Sequence, residues 1–310
     1  MVCATAIFMT SKLTTAGPLD PPSGTIAPTY KTLNEVEPRI AINAQNTPGD
    51  ASSVFKITKP GSYYLTGNVI GVSGKDGIVI AASNVTVDLM GFTLEGVAGS
   101  GEGIGSSGTQ QGITIRNGVV MNWGATGVDL YLPTTTNSRV EHVHARGNES
   151  GIRGFGGMHF VGCIASGNTT IGIEAGNDAK IEGCTSLENG GDGFACGFGS
   201  TVSGSIARNN VGSGFVTSGD CVFSSCTATL NDTDGFRITR SVVNNCRAAG
   251  SERGFSLSQS AVHDSSAHNC QVGINMSSDS IATNCNLTQC TTAGIQATAS
   301  DNRIENNNAV

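Results

Sequence analysis

A glycine followed by a large apolar residue recurs along most of this chain at almost constant spacing. The pairs are Gly127-Val128, Gly151-Ile152, Gly172-Ile173, Gly193-Phe194, Gly214-Phe215, Gly235-Phe236, Gly254-Phe255, Gly273-Ile274 and Gly294-Ile295, in steps of 24, 21, 21, 21, 21, 19, 19 and 21 residues. So regular a period marks a repeat architecture. After the glycine, apolar residues alternate: Phe194 and Cys196, Phe236 and Ile238, Phe255 and Leu257, Ile274 and Met276. A period of two is that of a strand with one buried face. A second column follows at Cys163, Cys184, Ser205, Cys226, Cys246, Ser265 and Cys285, and Asn148, Asn168, Asn189, Asn210 and Asn231 close several units.

A unit of about 21 residues has no room for a packed helix. It holds two or three short strands joined by tight corners, and it cannot bury its inner face alone. It must stack on the next unit at the inter-strand spacing of about 4.8 Å. The expected fold is all-β: a single-stranded parallel β-helix, or solenoid, of about 10–11 coils. The repeated glycines are expected to supply φ > 0 at the corners. The asparagines are expected to share that task and to hydrogen-bond to their copies in adjacent coils.

Composition narrows the partners. The net charge is −7, which argues against a nucleic-acid backbone. No apolar run reaches the length of a membrane span. Five of the 10 cysteines fall in the inward column and read as small buried hydrophobes, not bridges. No CxxC pair is present, so neither a metal framework nor any cofactor is evident.

The chain divides into three stretches. Residues 1–16 read either as the remnant of a secretory signal or as a disordered start. Residues 17–53, rich in proline, read as an extended N-terminal arm that caps the first coil. Residues 54–310 carry the β-helix. Gly96–Gly112 and Tyr131–Ser138 read as loop insertions that can wall a groove. The closing NRIENNNAV stops in mid-pattern. That predicts either truncation or an uncapped C-terminal coil that self-associates.

KITKPGSYYLTGNV, then GIVIAASNVTVDLMGFTL, then the glycine coils resemble secreted bacterial right-handed parallel β-helix repeat proteins of the pectate-lyase-like superfamily. The likeness is greatest to uncharacterised exported proteins of planctomycete type, and it includes the EVEPRI segment. It implies a right-handed helix and a secreted or cell-surface location. It implies little about activity, because the superfamily mixes lyases, hydrolases, epimerases and proteins with no known reaction.

The chemistry expected of that superfamily has few candidate residues here. Galacturonan hydrolases carry Asp-Asp and Gly-His-Gly motifs, and mannuronan epimerases an Asp-Pro-His-Asp motif; neither set is present. What remains is a charged outer column, Asp129, Arg153 and Glu174, in three successive coils. With His144 these are the candidate catalytic residues. Asp129 and Glu174 are expected about 10 Å apart with Arg153 between them. The competing reading is an ion-pair ladder on a solvated face. Trp123, Tyr131 and Arg146 are the candidate substrate-binding residues. A second group, Asp232, Asp234, Arg237 and Arg240, invites the same two readings. Calcium would be needed only by a lyase.

Three functions follow in order of expectation. The first is an exported β-helix without a catalytic site, acting as a surface, adhesive or assembly module with glycan contact. The second is a carbohydrate-active enzyme, a uronan lyase or epimerase. The third is a self-stacking fibre or trimer subunit.

Overall fold

The computed structural model describes residues 38–133 and 135–310. The expected signal remnant and most of the expected arm lie outside the described residues. Within them, each regular coil runs through three short strands, such as Ile173–Ala175, Lys180–Glu182 and Thr185–Leu187. Each strand pairs in parallel with its counterpart one coil on: Ile173 with Phe194, Ile181 with Val202, Ser186 with Ala207. These series make three faces. The first is a 12-stranded sheet from Ser53–Ile57 to Ala293–Ala297, and the other two share a 23-stranded sheet. The chain is a right-handed parallel β-helix of about 13 turns. Among the described residues no helix is long and apolar enough to cross a membrane.

The turn count exceeds the expected 10–11 coils. Two further glycine pairs, Gly77-Ile78 and Gly103-Ile104, precede Gly127-Val128 by longer coils. Ile78 pairs with Ile104, and Ile104 with Val128. This also corrects the reading of Gly96–Gly112 as a loop insertion, since Ile104–Ser106 within it is a strand paired on both sides. The end of the expected arm is likewise a rung, because Ile40–Ala41 pairs with Tyr63 and Tyr64.

The repeated glycines are there for a reason other than the expected one. None of the nine has φ > 0. A β-carbon at Gly193 or Gly214 would instead lie 2.7 Å from the carbonyl oxygen of the matching glycine one coil on. Coils approach at this position too closely for any side chain. Positive φ belongs to separate corner residues. At the corner between the second and third faces Gly162, Gly183 and Gly204 give way to Ser225, Asn245, Asp264 and Asn284, all with φ between 48° and 59°.

The residue after each corner points inward and satisfies its neighbour. Asn168, Asn189 and Asn210 accept a backbone N–H from the preceding coil at 3.0, 3.0 and 3.1 Å and bond to one another through their amides at 2.9 Å. They do not carry φ > 0 themselves, so only the stacking half of the expectation for this column holds. The Cys/Ser column does the same at its own corner: Cys184 N–H donates to Ser205 Oγ and Cys226 N–H to Cys246 Sγ. All nine described cysteines are free, and eight are buried. Between these polar ladders lies the apolar fill, including Phe194, Phe215, Phe236 and Phe255 stacked at 4.8, 4.8 and 5.1 Å.

Candidate functional site

Residues that alternate with the buried ones on the first face form an outward row. Register runs it through Val79, Gly105, Asp129, Arg153, Glu174, Ala195, Val216 and Arg237. The structure thus brings three of the four candidate catalytic residues together. Arg153 Nε donates to Glu174 Oε2 at 2.7 Å and Nη1 to Asp129 Oδ2 at 3.4 Å. Its guanidinium lies 4.8 Å over the Tyr131 ring, and that ring and Phe155 are nearly perpendicular with centroids 5.6 Å apart. Asp129 Oδ1 accepts the Tyr131 N–H at 2.7 Å, so the same carboxylate anchors the loop that follows its strand. Burial raises the Asp129 pKa, opposed by that hydrogen bond and by Arg153.

One residue of this site was not among the sequence candidates. Glu102 precedes Gly103-Ile104 as Asp192 precedes Gly193-Phe194. Its N–H donates to Asp76 Oδ1 at 2.9 Å. Its carboxyl lies over Gly105, in the space a side chain there would fill, and Gly105 is the register partner of Asp129. Burial, then the charges of Asp129 and Asp76, push the Glu102 pKa up to about 7, with Arg153 opposing. The sequence did carry a signal for it, the acidic residue before a repeat glycine. The surrounding glycines and serines masked that signal as loop.

The other candidates lie elsewhere. His144 is on the third face, where its Nε2 meets Ser166 Oγ at 2.7 Å. Burial, with Arg146 nearby, lowers its pKa. Arg146 is exposed and reaches Met121 Sδ at 3.1 Å. Neither hydrogen-bonds or ion-pairs with the Asp129 group. Trp123 corrects the expectation of an exposed sugar platform. It is 2% exposed and donates its indole N–H to Leu94 O at 3.1 Å. Only glycine fits against it, since β-carbons at Gly71 and Gly77 would lie 2.8 Å from its ring. The second charged group is split among separate pairs. Asp234 is buried against Arg253, Arg237 meets Asp192 at 3.5 Å, and Arg240 meets Asp220 at 3.4 Å.

A shallow cleft of about 180 Å³ continues the row beyond Arg153. Tyr131, Glu174, Ala195, Phe198 and Val216 are among its lining residues. Larger hollows, of about 430 and 350 Å³, lie at coil corners beside Ser251 and Asn245. Neither is lined by the Asp129 group. Among the described residues no cluster of three or more His, Cys, Asp or Glu side chains could hold a metal ion.

Residues 76–228 match the family model described as "right handed beta helix region". No curated protein matches the chain in sequence. Among solved structures, the chain is similar to the A-module of the mannuronan C-5 epimerase AlgE4 of Azotobacter vinelandii. The TM-score is 0.59 at 13% identity, over 81% of this chain and 87% of that one. The Dettilon tailspike protein gives 0.65 at 10% identity, over 81% of this chain but only 62% of the tailspike. The catalytic domain of a GH87 alpha-1,3-glucanase, determined with tetrasaccharides, gives 0.55 at 11% identity, over 94% of this chain and 71% of that one. At such identities these likenesses show the fold alone.

Proposed function

We propose that this chain is a carbohydrate-active protein that cleaves a neutral glycan by acid–base chemistry at Glu102, Asp129, Arg153 and Glu174. The observation that carries the reading is Glu102, a carboxyl laid over Gly105 beside Asp129 and retaining its proton up to about pH 7. Glycoside hydrolysis needs one protonated carboxyl to donate to the leaving oxygen and a second, ionised one close by. Adjacent rungs are about 4.8 Å apart, near the ~5–5.5 Å separation of carboxyls in retaining enzymes. In this scheme Glu102 gives its proton to the glycosidic oxygen as the bond to the anomeric carbon breaks. Asp129, held by Arg153, attacks that carbon or stabilises its positive charge. Water then supplies the hydroxyl and returns a proton to Glu102.

Charge favours this scheme over a uronan lyase or epimerase. Three carboxyls, Glu102, Asp129 and Glu174, lie within reach of one guanidinium, and Asp76 adds a fourth beside Glu102. Arg153 already spends hydrogen bonds on Glu174 and Asp129. A uronate would meet net negative charge with no uncommitted cation to neutralise it. Support for a glycan in general comes from two structurally similar proteins named for acting on mannuronan and on alpha-1,3-glucan.

The test is release of reducing ends from a panel of neutral and uronic polysaccharides, with ultraviolet absorbance followed for unsaturated products. Cleavage of a neutral glycan is expected, with Glu102→Gln slower by about 10²–10⁴-fold. Unsaturated uronates would replace this reading with a lyase. Binding without cleavage would make the chain a non-catalytic glycan-contacting module.

A further inference from the structure

The outward row of the first face changes character after Glu174. Ala195 and Val216 follow, and the next charged residue is Arg237. Three rung steps therefore give a bed about 14 Å long with no long side chain on it. Gly197 keeps one flank low, since a β-carbon there would lie 2.7 Å from the Asn177 backbone nitrogen. Phe198 rises beside it and is 43% exposed.

This exposed ring is held in place from several sides. The Phe198 N–H donates to Asn177 Oδ1 at 3.0 Å. The Arg240 guanidinium lies 5.4 Å from the ring centroid and is itself tied to Asp220. Gly219 makes room for both, because a β-carbon there would lie 3.0 Å from the ring and 2.7 Å from Arg240 Nη2. Tyr131, at the other end of the cleft, has the same design, with Arg153 over its ring. Glu174, Asn177 and Ser218 line the same cleft as hydrogen-bonding groups.

We propose that this cleft is a row of subsites for a neutral glycan chain, with Phe198 as its stacking platform. The chain would lie lengthwise across the coils and pass from Phe198 to the carboxyls at Glu174 and Asp129. Aromatic rings take the apolar faces of sugars, and side-chain amides and hydroxyls take their hydroxyl groups. The cleft, at about 180 Å³, is smaller than the ~300–1,000 Å³ of pockets that enclose a whole ligand. That suits a polymer passing through. The cations beside it, Arg153, Arg237 and Arg240, are each paired with a carboxylate, so none is uncommitted for an anionic sugar. This inference rests on the glycan-acting reading for its ligand class but not on the cleavage chemistry.

The experiment is calorimetric titration of the Glu102→Gln protein with gluco- and xylo-tetraoses, alpha-1,3-linked tetraose included, and with trigalacturonate as the anionic probe. A neutral tetraose is expected to bind. Phe198→Ala in the same background is expected to weaken it at least tenfold, and Ala195→Trp, which fills the bed, to abolish it. Both added substitutions lie on the surface, and circular dichroism checks that the fold is intact. Equal affinity with and without Phe198 overturns the platform while leaving the cleavage reading standing. Phe198-dependent binding, together with a wild-type chain that releases no reducing ends from any neutral glycan, sustains the subsites and sinks the cleavage reading. Absence of tetraose binding, or tighter binding of trigalacturonate, overturns the inference.

Discussion

Glu102 owes its proton affinity to a backbone vacancy. Gly105 leaves the outward row empty at one rung, and the Glu102 carboxyl folds into that space beside Asp129. As a general acid it acts when protonated, so activity is expected to be present at lower pH and to fall as pH rises through about 7. The same shift bears on stability. The folded pKa stands above the ordinary carboxyl value, so the folded chain binds this proton more tightly than the unfolded chain. That stabilisation is present at low pH and is lost as pH rises from about 4.5 to about 7. Glu102→Gln has no such dependence. Its melting temperature relative to wild type should therefore improve between about pH 5 and pH 8, by the equivalent of ~1–2 kcal/mol after allowing for partial exposure. A flat difference across that range would mean that Glu102 titrates normally.

The ladders are the elements on which stability turns. Asn189 accepts from the N–H and the side-chain amide of Asn168, and donates to Asn210 and to Ala165 O. Asn189→Ala would leave those buried donors unpaired, and a loss of about 3 kcal/mol is expected from the shift in urea midpoint. The ladder ends at Asn231, and the next position of the column is Ser251, whose buried Oγ has no partner. Ser251→Asn should extend the ladder, because an amide there can accept from Asn231 as Asn231 accepts from Asn210. A gain of about 1–2 kcal/mol is expected. No gain in the same urea titration would show that this corner cannot seat an amide.

At the scale of the whole molecule, charge separates the ligand classes. The chain carries a net −7, and its first-face cations are paired with carboxylates. Binding of a neutral oligosaccharide should hardly change from low to high salt, whereas any binding of a uronan should strengthen as salt screens repulsion. A neutral-glycan affinity that collapses with salt would show that an ionic contact, and not the aromatic and hydroxyl contacts of the cleft, holds the sugar. The period of the glycine pairs was by itself enough to determine a stacked all-β solenoid, its inward columns and the succession Asp129, Arg153, Glu174. All of these follow from spacing, because stacked coils align like with like. Tertiary structure alone decided the rest. Trp123 is interior because three-dimensional neighbours without side chains, Gly71 and Gly77, admit its ring. His144 falls on a different face from Arg153 because a corner at Gly147, with φ of 65°, turns the chain between them. Glu102 joins Asp129 because pairing of Ile104 with Val128 carries a glycine-rich stretch into the sheet. Spacing along a chain records which residues repeat, while burial and the juxtaposition of side chains from different coils depend on what the intervening segments leave empty.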